Sequence, residues 1–331
     1  MLRRLFSWLF ILISQTRLFF YKKGIFKSSK VPARVISVGN LSMGGSGKTP
    51  LVVSLAHEAV KRDLKTVIVE KGYKSGLRSD QIICSQKGTD SDPDVKLVGD
   101  EAKMVWDSIP AGARLCVSKN KTRGAILCMQ KWQDTKIIIV DDGFQHLTLN
   151  RDVDVVLIDA NSGFNDHVFP HGNLREQYSA LKRASIVVFT KSDDVPQKEL
   201  DELSNKAKSY NSNIKVFFAK TKFYCSAPVA GKKVLPVSAV YNGAHFRNKL
   251  KGANAVFEKY MEYTDHREFT HNDLSNILSF KDKVGAEIIA VTKKDWAKLE
   301  KLMPKNEAVA LCWYEHIIGD HEEFLKCCIG S

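Results

Sequence analysis

Acidic residues are missing from the first 57 positions of this 331-residue chain, which carry nine Lys or Arg and supply +9 of a net charge of +13. That imbalance excludes a solvated mixed-charge face there and points to an anionic surface. Cysteine is sparse as well. Cys84, Cys116, Cys128, Cys225, Cys312, Cys327 and Cys328 include no C-x-x-C pair and no paired histidine spacing. The sequence therefore indicates neither zinc nor a disulfide framework, and a reducing cytosol fits best. There is no internal repeat and no low-complexity segment. With 44% apolar and 26% charged residues, disorder is excluded, and the length suits a soluble enzyme of two domains.

Long hydrophobic runs are also missing. Residues 5–13 are almost wholly apolar, but as a helix they cover only ~14 Å of a hydrocarbon layer ~30 Å thick. Ser14, Gln15, Thr16 and Arg17 then interrupt, and residues 18–21 resume before Lys22, Lys23, Lys27 and Lys30. A spanning segment is not expected, and the lack of a small-residue cleavage site argues against a secretory signal. An interfacial helix satisfies both features, with Phe6, Trp8, Phe10 and Phe19 in the acyl boundary and basic side chains on anionic lipid head groups. A buried N-terminal core helix is the alternative. No aromatic-basic interleaving or nucleic-acid motif accompanies the charge, so the expected partner is a membrane surface and not nucleic acid.

What is present begins with residues 42–49: Ser42, Met43, Gly44, Gly45, Ser46, Gly47, Lys48 and Thr49. They follow the β-type run at 34–38 and precede a helical pattern over 51–62. Small residues let backbone N–H groups turn inward around a polyphosphate, Lys48 supplies a positive charge, and the Thr49 hydroxyl suits Mg²⁺. The helix would aim its positive end at the same anion. The usual pattern opens on Gly, where this chain has Ser42; a plain glycine-rich turn is the alternative reading.

Strand and helix signals then alternate: strands at 66–70, 82–84, 114–118, 136–140, 153–158 and 185–190, and helices at 100–108 and 121–132. Such alternation predicts an α/β fold of the P-loop type with a mostly parallel sheet. A composition change over 220–233 predicts a boundary to a second, smaller α/β domain, with strands at 234–240, near 257–263 and at 287–292, and helices around 245–250 and from 272. The expected units are 1–28 (membrane-associating helix), 29–225 (nucleotide-binding catalytic domain) and 226–331 (smaller α/β domain and tail).

Asp141 and Asp142 stand at the end of the buried strand at 136–140 and are followed by Gly143, Phe144, Gln145 and His146. Carboxylates at a strand end beside a phosphate loop are where such enzymes hold Mg²⁺. Adjacent carboxylates repel unless a cation lies nearby.

The chain resembles the tetraacyldisaccharide 4'-kinases of lipid A biosynthesis. The resemblance rests on VGNLSMGGSGKTP at 38–50, GY at 72–73, VGDE at 98–101, DDGFQH at 141–146, RDVDVVLIDA at 151–160, FPHGNLRE at 169–176, LKRA at 181–184, DH at 265–266 and TKKD at 292–295. These run in the family's order across most of the chain, and a Ser or Thr at the loop's first position is itself a family feature. The resemblance implies transfer of the ATP γ-phosphate to the 4'-hydroxyl of an acylated glucosamine disaccharide 1-phosphate at the cytoplasmic face of the bacterial inner membrane. No obligate protein partner is expected.

By the same resemblance, Lys48 and Thr49 hold the β- and γ-phosphates and Mg²⁺. Asp142, with Asp141, belongs to the metal and phosphate network, and Glu176 is a further acidic contributor to Mg²⁺. Asp100 matches the family's general base, and His266 the histidine that orients it; a sugar hydroxyl needs such a proton acceptor. Gln145 and His146 are expected to line the sugar or phosphate pocket, and Lys121 or Arg123 to meet the substrate's 1-phosphate. The chain departs from the family's usual Asp-Arg at Asn120-Lys121 and from Ser-Arg at Glu70-Lys71, and lysine lacks the planar fork of arginine. A rival reading is a membrane-associated GTPase or ATP-binding targeting module, because Thr190, Lys191, Ser192 and Asp193 resemble a guanine-reading tetrad. Against it, DDGFQH lacks the D-x-x-G spacing of a G-protein switch.

Overall fold

The computed structural model describes residues 2–44, 47–73, 75–79, 81–240, 243–265 and 267–330. The first helix, α1 (Leu2–Lys22), runs unbroken through the polar residues 14–17, since none is a proline or glycine able to break the backbone ladder. The strands β1 (Arg34–Asn40), β2 (Thr66–Glu70), β3 (Ile82–Gln86), β4 (Arg114–Ser118), β5 (Ile137–Asp141), β6 (Val153–Asp159), β7 (Ile186–Thr190) and β8 (Lys215–Cys225) follow. Between them lie α2 (Lys48–Lys61), α3 (Val95–Val98), α4 (Asp100–Ser108), α5 (Lys121–Lys131) and α6 (Gln197–Tyr210). The remainder is β9 (Val234–Ser238), α7 (Gly243–Gly252), β10 (Met261–Glu262), α8 (His271–Val284), β11 (Ile288–Thr292), α9 (Lys293–Leu299), β12 (Val309–Ile318) and α10 (His321–Ile329).

These strands form one sheet in the order β10-β9-β11-β12-β8-β7-β6-β1-β5-β2-β4-β3. From β8 to β4 the pairing is parallel, with β3 added antiparallel at the edge. β9 to β12 form a second parallel block, joined to the first where β12 runs antiparallel to β8. β8 escaped the sequence reading because its lysine-bearing second half falls in the stretch taken as a domain boundary, and β12 because its residues carry no regular alternation of polar and apolar side chains.

β2, β4, β5 and β7 are buried along their whole length, as strands covered by helices on both faces must be. On one face Leu51 and Leu55 of α2, Trp106 of α4 and Phe324 of α10 pack on Ile36, Val38 and Ile139. On the other, Ala125 and Cys128 of α5 cover Val69, Ile138 and Val140. The chain leaves β1 for β2 on one side and later places β6 on its other side. The carboxyl end of β1 is thus a divergence point of the sheet, where α/β folds open a crevice.

Candidate functional site

Lys48 and Thr49 form the first turn of α2, and Gly47 just before them has φ 81°. Gly45 and Ser46 lie outside the described residues. The front of the loop is tied down by the 168–176 segment: Ser42 bridges Leu174, Met43 N–H donates to the Asn173 carbonyl at 2.7 Å, and Arg175 N–H donates to the Leu41 carbonyl at 2.6 Å. Asn40 Nδ2 reaches toward the Gly44 carbonyl at 3.5 Å.

Register places Asp141 opposite Val38, level with the end of β1. Thr49 Oγ1 donates to Asp141 Oδ2 at 3.2 Å. Asp142, one residue past the strand, takes φ 48°, a conformation uncommon outside glycine that turns up at functional sites. Lys48 Nζ lies 3.6 Å from its Oδ1. Arg175 Nη1 donates to both of its oxygens, at 2.8 and 2.7 Å. Burial opposes the Asp142 charge, but Lys48 and Arg175 outweigh it and hold the carboxyl below its usual range.

Beneath the pair, the buried Lys121 ammonium donates to the carbonyls of Asp141 and Asp142. Its ordinary pKa is lowered by burial first, against the attraction of Asp142, Glu70 and Asp141. This corrects the expectation that Lys121 meets the substrate's 1-phosphate: its head group is consumed in the interior, supporting the acidic strand end. Arg123 is exposed in the first turn of α5, its backbone N–H accepted by the Asn120 side chain at 3.1 Å.

Glu70, at the end of β2, lies against Asp141. Burial, then the Asp141 charge, push the Glu70 carboxyl well up. Among the described residues neither Glu70 Oε1 nor Asp141 Oδ1 has a conventional donor. A proton retained on Glu70 and shared with Asp141 accounts for both oxygens. The donor set of Thr49, Asp141 and Asp142 is all hard oxygen and so fits Mg²⁺.

The other sequence-predicted residues surround this centre. Gln145 Nε2 donates to the Asn40 carbonyl at 3.0 Å. His146 Nε2 sits 2.9 Å from Thr122 Oγ1 and 3.0 Å from Thr148 Oγ1, and burial, aided by Lys121 and Arg151, lowers it to about 4. Glu176 is paired with Arg183 at 2.7 Å, and the Arg183 guanidinium lies over the Phe144 ring at 3.8 Å.

Asp100 opens α4 and is buried. Its Oδ1 accepts from Glu101 N–H at 2.9 Å, and Lys298 Nζ of α9 stands 3.4 Å from its Oδ2. Lys294 of the same helix reaches Asp265 at 3.4 Å and Glu101 at 3.7 Å. The DH, VGDE and TKKD motifs therefore converge, although His266 lies outside the described residues.

Arg175, His316 and Lys298 were not singled out from the sequence. Arg175 stands inside NLRE, so the motif carried its signal. His316 carried none: it is one histidine in an irregularly patterned strand, yet its Nε2 donates to the Gly47 carbonyl at 2.9 Å. The guanine-like tetrad is occupied by the fold, Lys191 pairing with Asp159 and Asp193 accepting from Thr221 N–H at 3.2 Å.

One face of α1 docks on the body. Ser7 Oγ donates to the Val168 carbonyl at 2.8 Å and accepts from His171 N–H at 3.0 Å, while Phe10 and Ile11 pack on the core around Phe144 and Leu174. Leu5, Trp8, Leu12 and Ile13 are more than half exposed. Among the described residues no helix is long and apolar enough to cross a membrane.

The sequence model of a family described as tetraacyldisaccharide-1-P 4'-kinase (LpxK) matches residues 1–325. Curated relatives named tetraacyldisaccharide 4'-kinase include one from Halothermothrix orenii, 31% identical over 302 residues, which span 85% of this chain and 78% of that protein. Another, from Desulfotalea psychrophila, is 30% identical over 299 residues, 87% of this chain and 84% of that protein. Among solved structures, "apo" form LpxK from Aquifex aeolicus in complex with ATP aligns with a TM-score of 0.79 at 27% identity, covering 99% of this chain and 98% of that one.

Proposed function

Because the chain belongs to the tetraacyldisaccharide-1-P 4'-kinase family, we infer that it passes the γ-phosphoryl group of ATP to the 4'-hydroxyl of tetraacyldisaccharide 1-phosphate, giving lipid IVA of lipid A biosynthesis. The observation that carries this reading is the meeting of Lys48 with Asp142 at 3.6 Å, which sets a phosphate loop against a paired acidic strand end.

In this reading the loop from Ser42 to Thr49 cradles the triphosphate, and Lys48 swings between Asp142 and the γ-phosphate. Thr49, Asp141 and Asp142 would hold Mg²⁺, with Glu176 contributing once released from Arg183. When bound, the ion neutralises charge on the β- and γ-phosphate oxygens. Arg175 holds the Asp142 carboxylate in place and adds positive charge where the transferring group passes. Asp100 accepts the proton of the 4'-hydroxyl, His266 orients it, and Lys298 fixes its second oxygen. Gln145 and His146 face the sugar, and Arg123 meets the 1-phosphate.

The boundary we place between catalytic and smaller units follows Cys225, where β8 ends. The exposed apolar residues of α1 suit insertion into one leaflet beside anionic head groups, at the cytoplasmic face of the inner membrane, without spanning it. A cleft of about 480 Å³ between α1 and the 166–178 segment, lined by Arg4, Trp8, His167 and Tyr178 among others, lies where an acylated substrate would approach.

Incubation of the protein with γ-labelled ATP and the disaccharide 1-phosphate in mixed micelles, followed by lipid separation, tests the reading. Label is expected in a bisphosphorylated lipid, with ATP preferred to GTP. Label released only as inorganic phosphate would overturn it.

A further inference from the structure

Three thiols that are scattered in sequence meet at the β3 edge of the sheet. Cys84 and Cys116 face each other across the antiparallel β3–β4 pair, and Cys128 descends from α5 onto the same spot. The Sγ atoms of Cys84 and Cys128 are 3.9 Å apart, and all three sulfurs lie within 4.8 Å of one another. Gly124, one turn before Cys128, makes this approach possible: a Cβ there would stand 3.1 Å from Cys116 Sγ. Cys116 and Cys128 are fully buried, and half-buried Cys84 leaves one side open to solvent.

We propose that Cys84, Cys116 and Cys128 form a trigonal thiolate site for one monovalent copper ion. Three sulfurs each ~2.3 Å from a central ion make a triangle with edges of ~4.0 Å, close to the spacing already present. A structural zinc site asks for four protein ligands, and no fourth His, Cys, Asp or Glu joins this group among the described residues. The buried side is apolar, from Val67, Val69, Ala125 and Ile138, and these side chains offer no further donor atom to an ion held by the three sulfurs. Binding replaces three S–H bonds by three sulfur–copper bonds and releases three protons to solvent, with no change of oxidation state. Lys131, whose ammonium donates to the Cys84 carbonyl at 2.7 Å, places a cation at the rim against the negative charge of the loaded site.

The test uses the reduced full chain under anaerobic conditions with Cys225→Ser as background, since Cys225 and Cys312, 3.3 Å apart, form a second thiol pair. Copper(I) is supplied in competition with bicinchoninate. The background protein is expected to retain one equivalent, more tightly as pH rises, with X-ray absorption giving three sulfur neighbours. Cys84→Ser, at a half-exposed position that should leave the circular dichroism unchanged, is expected to weaken retention at least about tenfold, and Cys128→Ser likewise. Failure to retain an equivalent, retention undiminished in Cys84→Ser, or retention of zinc(II) while copper(I) is surrendered would each overturn the assignment.

Discussion

His316 on β12 donates from Nε2 to the carbonyl of Gly47, 2.9 Å away at the base of the phosphate loop. A carbonyl only accepts, so Nε2 carries the proton and Nδ1 accepts from the Thr221 hydroxyl at 3.0 Å. Burial holds the ring below its ordinary pKa, in keeping with a neutral imidazole. A histidine of the second parallel block thereby anchors the loop that follows β1.

Gly47 is the tightest point of that contact. A Cβ there would lie 2.1 Å from His316 Nε2, and φ 81° disfavours any side chain. Gly47→Ala is expected to abolish ATP binding measured by calorimetry. His316→Ala, which strips a buried carbonyl of its donor at a cost of ~1–3 kcal/mol, should raise KM for ATP about tenfold. His316→Gln can still donate at the Nε2 position and should recover most of that loss.

Arg175 and Lys48 both hold Asp142. Arg175→Ala is expected to lower kcat by about 10²-fold, the scale of losing one preorganised charge at a transferring group, with little change in KM for lipid. Arg175→Lys, which cannot bridge both oxygens as well, should fall between the two in steady-state assays.

Asp142→Ala and Asp100→Ala are expected to lose turnover by about 10³-fold with unchanged circular dichroism. Near-normal turnover in either variant would remove that residue from the mechanism.

His146 titrates in the folded chain at about 4, below its ordinary 6.5. The unfolded state therefore binds more protons between these values, so the histidine's contribution to stability is complete above pH 6.5 and lost as pH falls toward 4. The melting temperature of the wild type should drop more steeply across that window than that of His146→Gln.

Trp8 and Ile13 are 69% and 60% exposed on α1. Replacing both by Glu should weaken sedimentation with anionic liposomes at least about tenfold, while melting changes little because both side chains are mostly exposed. Undiminished liposome binding would contradict the anchoring role of α1.

Local chemistry made the phosphate loop, the strand that carries it, α4, and the acidic end of β5 legible in the sequence, because glycine, lysine and β-branched runs act within a few residues of themselves. The same reading placed α2 three residues late, at 51 instead of Lys48, since proline at position 50 looks like a boundary when it is tolerated in a first turn. Only the tertiary structure joined β12 antiparallel to β8, brought His316 under Gly47, turned Lys121 inward beneath Asp141, and gathered three thiols between positions 84 and 128. These contacts link residues far apart along the chain, and a pairing set by sheet register leaves no periodic mark on either partner. The chemistry was written in short motifs; the geometry that arms it came from packing.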